Sequence, residues 1–124
     1  MGEHELRPVT AGHCLLFVYG QLQPSLRAPR SMIRHWPDQM RGRLYDLRKY
    51  PAAVEVGKAD GWIQGYVIEL AESELIDLDE FEAVGTGLYR RIRAVTRSGA
   101  EVWIYEFARP LPDDAIGPID RWPL

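Results

Sequence analysis

From Leu15 to Tyr19 the chain reads Leu-Leu-Phe-Val-Tyr without a polar residue, then breaks at Gly20 and passes through Gln21 and Leu22 into polar sequence. Its aromatic and Val content, its length and the bounding glycine favour a strand over a helix. Unbroken apolarity means that both faces of that strand are covered. The chain must therefore supply two layers of cover, and a tight loop leaves the middle of the core at Tyr19–Leu22. Glycine permits φ > 0 or a close backbone approach, so Gly20 can leave the amides of Gln21 and Leu22 open to an anion or a developing oxyanion. A glycine that simply ends a strand is the plainer alternative, and an isolated Tyr-Gly pair does not separate the two.

The length of 124 residues suits one domain, 1–124, with one sizeable core and no internal boundary. A net charge of -3 gives no overall field for nucleic acid, so no nucleic-acid partner is expected. The single cysteine, Cys14, cannot form an internal disulfide and fits a reducing compartment, which makes the cytoplasm the expected location. The first residues lack the apolar region of a signal peptide, and no run is long enough to cross a bilayer, so no membrane association is expected.

Residues 1–13 are mixed and polar and are expected to fray before the first strand. Pro24, Pro29 and Pro37 forbid a long helix over 23–39, although 30–36 has room for two helical turns. An alternating pattern over 40–47 predicts a second strand. A proline turn at 49–53 leads to a short strand around Val54 and Val56, and 63–70 is a strand whose Gly65 marks a bulge or a close backbone crossing. From 72 to 82 the period changes: Leu75, Leu78 and Phe81 recur at spacing of three, which predicts a helix with one apolar face and acidic residues elsewhere. Two strands, 89–96 and 101–107, flank a hairpin signal at 97–100. The core is thus expected over about 14–107, and the proline-rich remainder, 108–124, reads as an extended tail over the surface. This order predicts a mixed α+β domain on a small, strongly curved mixed β-sheet or barrel with flanking helices.

Chemistry is sparse. The three histidines are scattered, and no Cys-x-x-Cys, His-x-x-x-His, Gly-x-Ser-x-Gly, P-loop or Gly-x-Gly-x-x-Gly occurs, so neither a metal nor a cofactor is expected. Cys14 opens an apolar strand and reads as a buried inert thiol. Asp77 and Glu80 belong to a solvated acidic helix face. Glu82 differs, because it follows Phe81 at the helix end before the Ala83-Val84-Gly85 turn. A carboxylate turned into an apolar cleft there would have a raised pKa and could shuttle protons near neutrality, although such residues also occur in structural ion pairs.

Taken together, several short motifs resemble the gamma-glutamyl cyclotransferase-like, or AIG2-like, family. They are Val18-Tyr19-Gly20-Gln21-Leu22, Gly42-Arg43-Leu44-Tyr45-Asp46-Leu47 with Tyr50-Pro51-Ala52, Gly65-Tyr66-Val67-Ile68-Glu69-Leu70, Leu78-Asp79-Glu80-Phe81-Glu82, Tyr89-Arg90-Arg91 and Trp103-Ile104-Tyr105. The resemblance implies a small barrel with flanking helices. It also implies that Tyr19, Gly20, Gln21 and Leu22 bind the gamma-glutamyl moiety, and that Glu82 is the catalytic acid/base of a cofactor-independent release of 5-oxoproline from a gamma-glutamyl amine or peptide. The chain departs from the family pattern at Gln21, where a small hydroxyl residue is usual, at Ala83, where glycine is usual, and at Gln23-Pro24-Ser25, which lacks the usual glycine. A non-catalytic member that binds a small metabolite or a protein partner in the same pocket is the alternative. A plain interaction barrel displaying Trp62, Trp103 and Trp122 is the third reading.

Overall fold

The apolar run becomes β1 (His13–Val18) in the computed structural model, which describes residues 7–123. Its alternate side chains serve two cores: Cys14, Leu16 and Val18 enter one, while Phe17, followed by Tyr19, enters the other. Antiparallel β5 (Trp62–Ala71) and parallel β7 (Glu101–Phe107) flank it. Outside these lie β2 (Arg34–Arg41) and β6 (Tyr89–Val95), giving a five-stranded sheet of order β2-β5-β1-β7-β6. One face of this sheet is covered by α1 (Leu75–Phe81), whose Leu75 and Leu78 are buried against Leu16, Ile68 and Leu70. Each such burial is worth about 1.5 to 3 kcal/mol. The other face is covered through Leu44 and Ala53 of a second sheet, β4-β3-β8, built from β3 (Arg43–Asp46), β4 (Pro51–Val54) and β8 (Ile116–Ile119).

The α+β class expected from the sequence is therefore the one observed, and of the sheet and barrel left open there, the described residues form two sheets and no closed barrel. Residues 30–36 do not make helical turns, since β2 begins at Arg34. The stretch 40–47 is not one strand: it breaks at Gly42, between β2 of one sheet and β3 of the other. Residues 51–53 belong to β4 rather than to a turn. The helical segment opens with a 3-10 turn at Glu72–Glu74 before α1. Residues 7–12 are held rather than frayed: the Thr10 amide donates to Glu69 (2.7 Å), and Arg34 donates to the Arg7 carbonyl (2.9 Å). The expectation for residues 1–6 lies outside the described residues. The C-terminal stretch does run over the surface, but β8 pairs with β3, and the Asp120 carbonyl accepts the Gln64 amide (2.7 Å).

At Gly65 the expected close crossing is present. A Cβ there would stand 2.4 Å from the Val18 carbonyl oxygen and 2.7 Å from the Phe17 ring, so β1 and β5 meet only because residue 65 has no side chain. Two of the tryptophans stack with arginines of the same chain: Trp62 lies beneath the Arg41 and Arg97 guanidiniums (4.7 and 4.8 Å), and Trp103 beneath those of Arg91 and Arg93 (4.4 and 4.5 Å). Among the described residues no helix is long and apolar enough to cross a membrane.

Candidate functional site

Where β1 ends, the chain turns across the mouth of a cavity of about 230 Å³ lined by Tyr19, Gly20, Gln21, Leu22 and Glu82. The loop's backbone bonds run from the amides of Gln23 to Gly20 (3.1 Å), Leu26 to Gln23 (2.9 Å) and Arg27 to Gln21 (2.7 Å). Among the described residues none engages the amides of Gln21 or Leu22. Leu22 anchors the loop in the core. Gln21 instead reaches across to the Lys49 carbonyl (3.3 Å). Gly20 is not in the left-handed region; it is glycine for lack of room, because a Cβ would stand 2.9 Å from Cγ of Pro51 on the opposite wall. Tyr19 contributes its ring and backbone, since its hydroxyl donates to the Tyr105 carbonyl.

Glu82 reaches the same cavity because α1 stops there. Its amide still bonds to the Leu78 carbonyl (2.9 Å), but Ala83 takes a left-handed conformation (φ 53, ψ 43) and turns the chain away. A side chain in that region costs about 1 to 2 kcal/mol, which is the physical reason a glycine would be at home at this position. Burial alone pushes Glu82 from 4.5 up to about 7. Asp77 and Glu80 are exposed, as expected of a solvated face.

Because Glu82 is raised in the fold, its stabilising contribution is complete below 4.5 and is lost as pH rises through about 7. The span corresponds to roughly 3 kcal/mol of penalty for the buried charge. Glu82→Gln is thus expected to exceed the parent's stability at pH 8 by up to about that amount, while matching it near pH 4. Urea unfolding at the two pH values checks this, and a difference independent of pH would contradict it.

Three phenols surround the carboxyl. Tyr89 donates to the Pro51 carbonyl, and Tyr105 donates to Asp79 Oδ1 (2.7 Å). Burial raises the pKa of Tyr19, Tyr89 and Tyr105, and the nearby Glu82 charge adds to each shift, so all three remain protonated donors. Asp79 is not part of the solvated face: Arg91 grips it at both oxygens (2.7 and 3.0 Å). Burial pushes Asp79 up, but these bonds and that from Tyr105 outweigh it and hold the carboxyl below its usual range. Residue reading thus missed the roles of Asp79, Tyr89 and Tyr105. A usable signal existed for Tyr105, because the alternation Trp103, Tyr105, Phe107 puts it on the same core face as Val18.

Among the described residues no arginine, lysine or histidine lines the cavity. Of the cluster at 90–93, Arg90 pairs with Glu106 (2.9 Å) and Arg91 with Asp79, while Arg93 stacks on Trp103. An anionic ligand group would accordingly depend on the open loop amides. Among the described residues no group of three or more His, Cys, Asp or Glu side chains is arranged to hold a metal, and Cys14 is buried with a pKa raised by that burial.

Comparison with known proteins places this geometry in context. The family model described as gamma-glutamyl cyclotransferase, AIG2-like, matches residues 16–123. An AIG2-like protein of Mus musculus superposes with a TM-score of 0.69 at 17% identity, covering 89% of this chain and 88% of its own. An uncharacterized protein of Pyrococcus horikoshii gives 0.61 at 22% identity, covering 83% and 85%. A protein named gamma-glutamyl cyclotransferase gives 0.54 at 19% identity, covering 83% and 70%. At these identities the likeness concerns the fold alone. No curated protein sequence matches the chain.

Proposed function

Because the chain belongs to the gamma-glutamyl cyclotransferase, AIG2-like family, we propose that it releases 5-oxoproline and a free amine from a gamma-glutamyl amine or peptide, with Glu82 as general acid/base. The observation that carries this reading is one half-buried carboxyl, with a pKa of about 7, sharing a small cavity with the unengaged amides of Gln21 and Leu22.

The chemistry asks for little more. The substrate's α-amine attacks its own γ-carbonyl, forming the ring C–N bond, and the γ-amide C–N bond then breaks. On becoming the lactam N–H the α-ammonium gives up two protons, and the departing nitrogen, leaving as an ammonium, gains two; ionised Glu82 relays them one at a time, so the protein ends each cycle unchanged. Both reacting groups belong to one molecule, and holding them in attack geometry supplies several kcal/mol, of order 7 or more for well-oriented cases. The Gln21 and Leu22 amides are suited to the tetrahedral oxyanion or the α-carboxylate. The cavity of about 230 Å³ is below the roughly 300 to 1,000 Å³ of drug-sized pockets, which suits a glutamyl group with its leaving amine at the mouth.

The test is 5-oxoproline release from a panel of gamma-glutamyl amines and peptides, with a cytoplasmic, membrane-free assay as the natural setting. Release from at least one member is expected. Release from none, with 5-oxoproline still bound, would favour the non-catalytic binding alternative. Turnover is also expected to be indifferent to chelation, since ring closure by a tethered amine needs no Lewis acid. Loss of turnover with EDTA, restored by a stoichiometric metal, would overturn that expectation.

A further inference from the structure

We propose that Gln23 and Trp122 are positioning residues: Gln23 aims the Gln21 amide by gripping the Gly20 carbonyl, and Trp122 holds Gln23 in place. A trans peptide is planar, with its C=O and N–H pointing in opposite directions, so whatever fixes the Gly20 carbonyl fixes the Gln21 N–H. That carbonyl takes two donors, the Gln23 backbone amide (3.1 Å) and the Gln23 side-chain Nε2 (3.0 Å). The same Nε2 donates to the Trp122 carbonyl (2.7 Å). Two carbonyl oxygens converge on it, so only the amino end of the amide can occupy this point. Trp122 is anchored in turn, its Nε1 donating to Asp46 Oδ1 (2.9 Å), which also receives the Arg48 amide (2.7 Å).

The chain of bonds closes on itself. Arg48 begins the turn that carries Tyr50 and Pro51, both on the cavity wall, and Gln21 meets that turn directly at the Lys49 carbonyl (3.3 Å). Arg48 has a left-handed φ of 77, a conformation that side chains disfavour, so the turn needs such external bonds to hold its shape. Loop and opposite wall are therefore spaced by a strut from the C-terminal segment, which lies outside the cavity itself. Neither Gln23 nor Trp122 lines that cavity.

The binding consequence rests on the proposed function, but the geometric one does not, and two readouts keep them apart. Gln23→Met keeps length and removes both donors, Gln23→Glu sets a carboxylate against two carbonyls, and Trp122→Phe keeps a ring without its donor. Residual dipolar couplings of the Gln21 N–H are expected to change in all three. Calorimetry with 5-oxoproline should show binding weakened about five- to tenfold for Gln23→Met and more for Gln23→Glu, the scale of a lost hydrogen bond. Ile119→Ala, which loosens β8 by its packing alone, is the control: it should lower the melting temperature yet leave affinity and the Gln21 coupling unchanged. An unchanged Gln21 orientation in Gln23→Met would overturn the proposal, as would an equal affinity loss in Ile119→Ala. Should the parent not bind 5-oxoproline, the functional reading fails while the couplings still decide the positioning role.

Discussion

Glu82→Gln is expected to lower 5-oxoproline release about a hundred- to ten-thousand-fold, the range spanned by general acid–base catalysis. Gln preserves shape and removes the one carboxyl that, among the described residues, lines the cavity. Ligand affinity should change far less than turnover, because the loop amides rather than the carboxyl are available to an anionic ligand. The pH profile of the parent follows from the sign of the shift: the ionised form accepts the ammonium proton, so the rate rises with pH through about 7 and not near 4.5. Glu80→Gln, on the exposed side of the same helix, should be nearly silent. Steady-state rates of the three proteins across pH 5 to about 9 measure all of this. Equal turnover in the parent and Glu82→Gln would remove Glu82 from the mechanism.

The residues that made this site legible are those whose role is set locally. An unbroken apolar run ending in glycine specified β1 and its loop, and a period of three followed by a turn specified the helix that delivers Glu82. What stayed hidden depends on partners distant along the chain. Asp79 looks like its acidic neighbours until Arg91 and Tyr105 arrive from β6 and β7. Pro37 was legible only as a bar to a long helix, and its place inside a strand follows from β2 lying at the edge of the sheet, where proline is tolerated. Trp36 and Met40, both fully buried there, decide the segment as an alternating strand rather than helical turns. The C-terminal β8 carries little apolar signal, and its pairing partner lies some seventy residues earlier, at Leu44 and Asp46. Only the folded sheet reveals it. Tertiary pairing, which local propensity cannot encode, likewise decided between the sheet and the barrel that the strand order left open, and divided the strands into two sheets.

Gly20→Val is expected to weaken ligand binding about a hundredfold while leaving a folded chain, by a route independent of proton transfer. The first added carbon stands 2.9 and 3.3 Å from the Pro51 ring, whose atoms cannot swing aside as a flexible side chain would. Either Pro51 retreats or the loop does. Pro51 is held from behind, since its carbonyl accepts the Tyr89 hydroxyl at the cavity wall. The loop is held by Gln23 and by Leu22 in the core, so the strain falls on the Gly20–Gln21 peptide that separates the two walls. Overpacking of this kind typically costs about 1 to 3 kcal/mol, and the displaced atoms are the ones a ligand would meet. Gly20→Ala supplies the graded case, with a smaller loss because one methyl asks for a shift of only tenths of an ångström. Calorimetry with 5-oxoproline, alongside circular dichroism to verify the fold, reads the series. A folded Gly20→Val protein that binds as tightly as its parent would show that the gap between Gly20 and Pro51 is mere packing, and the ligand would have to be sought elsewhere in the molecule.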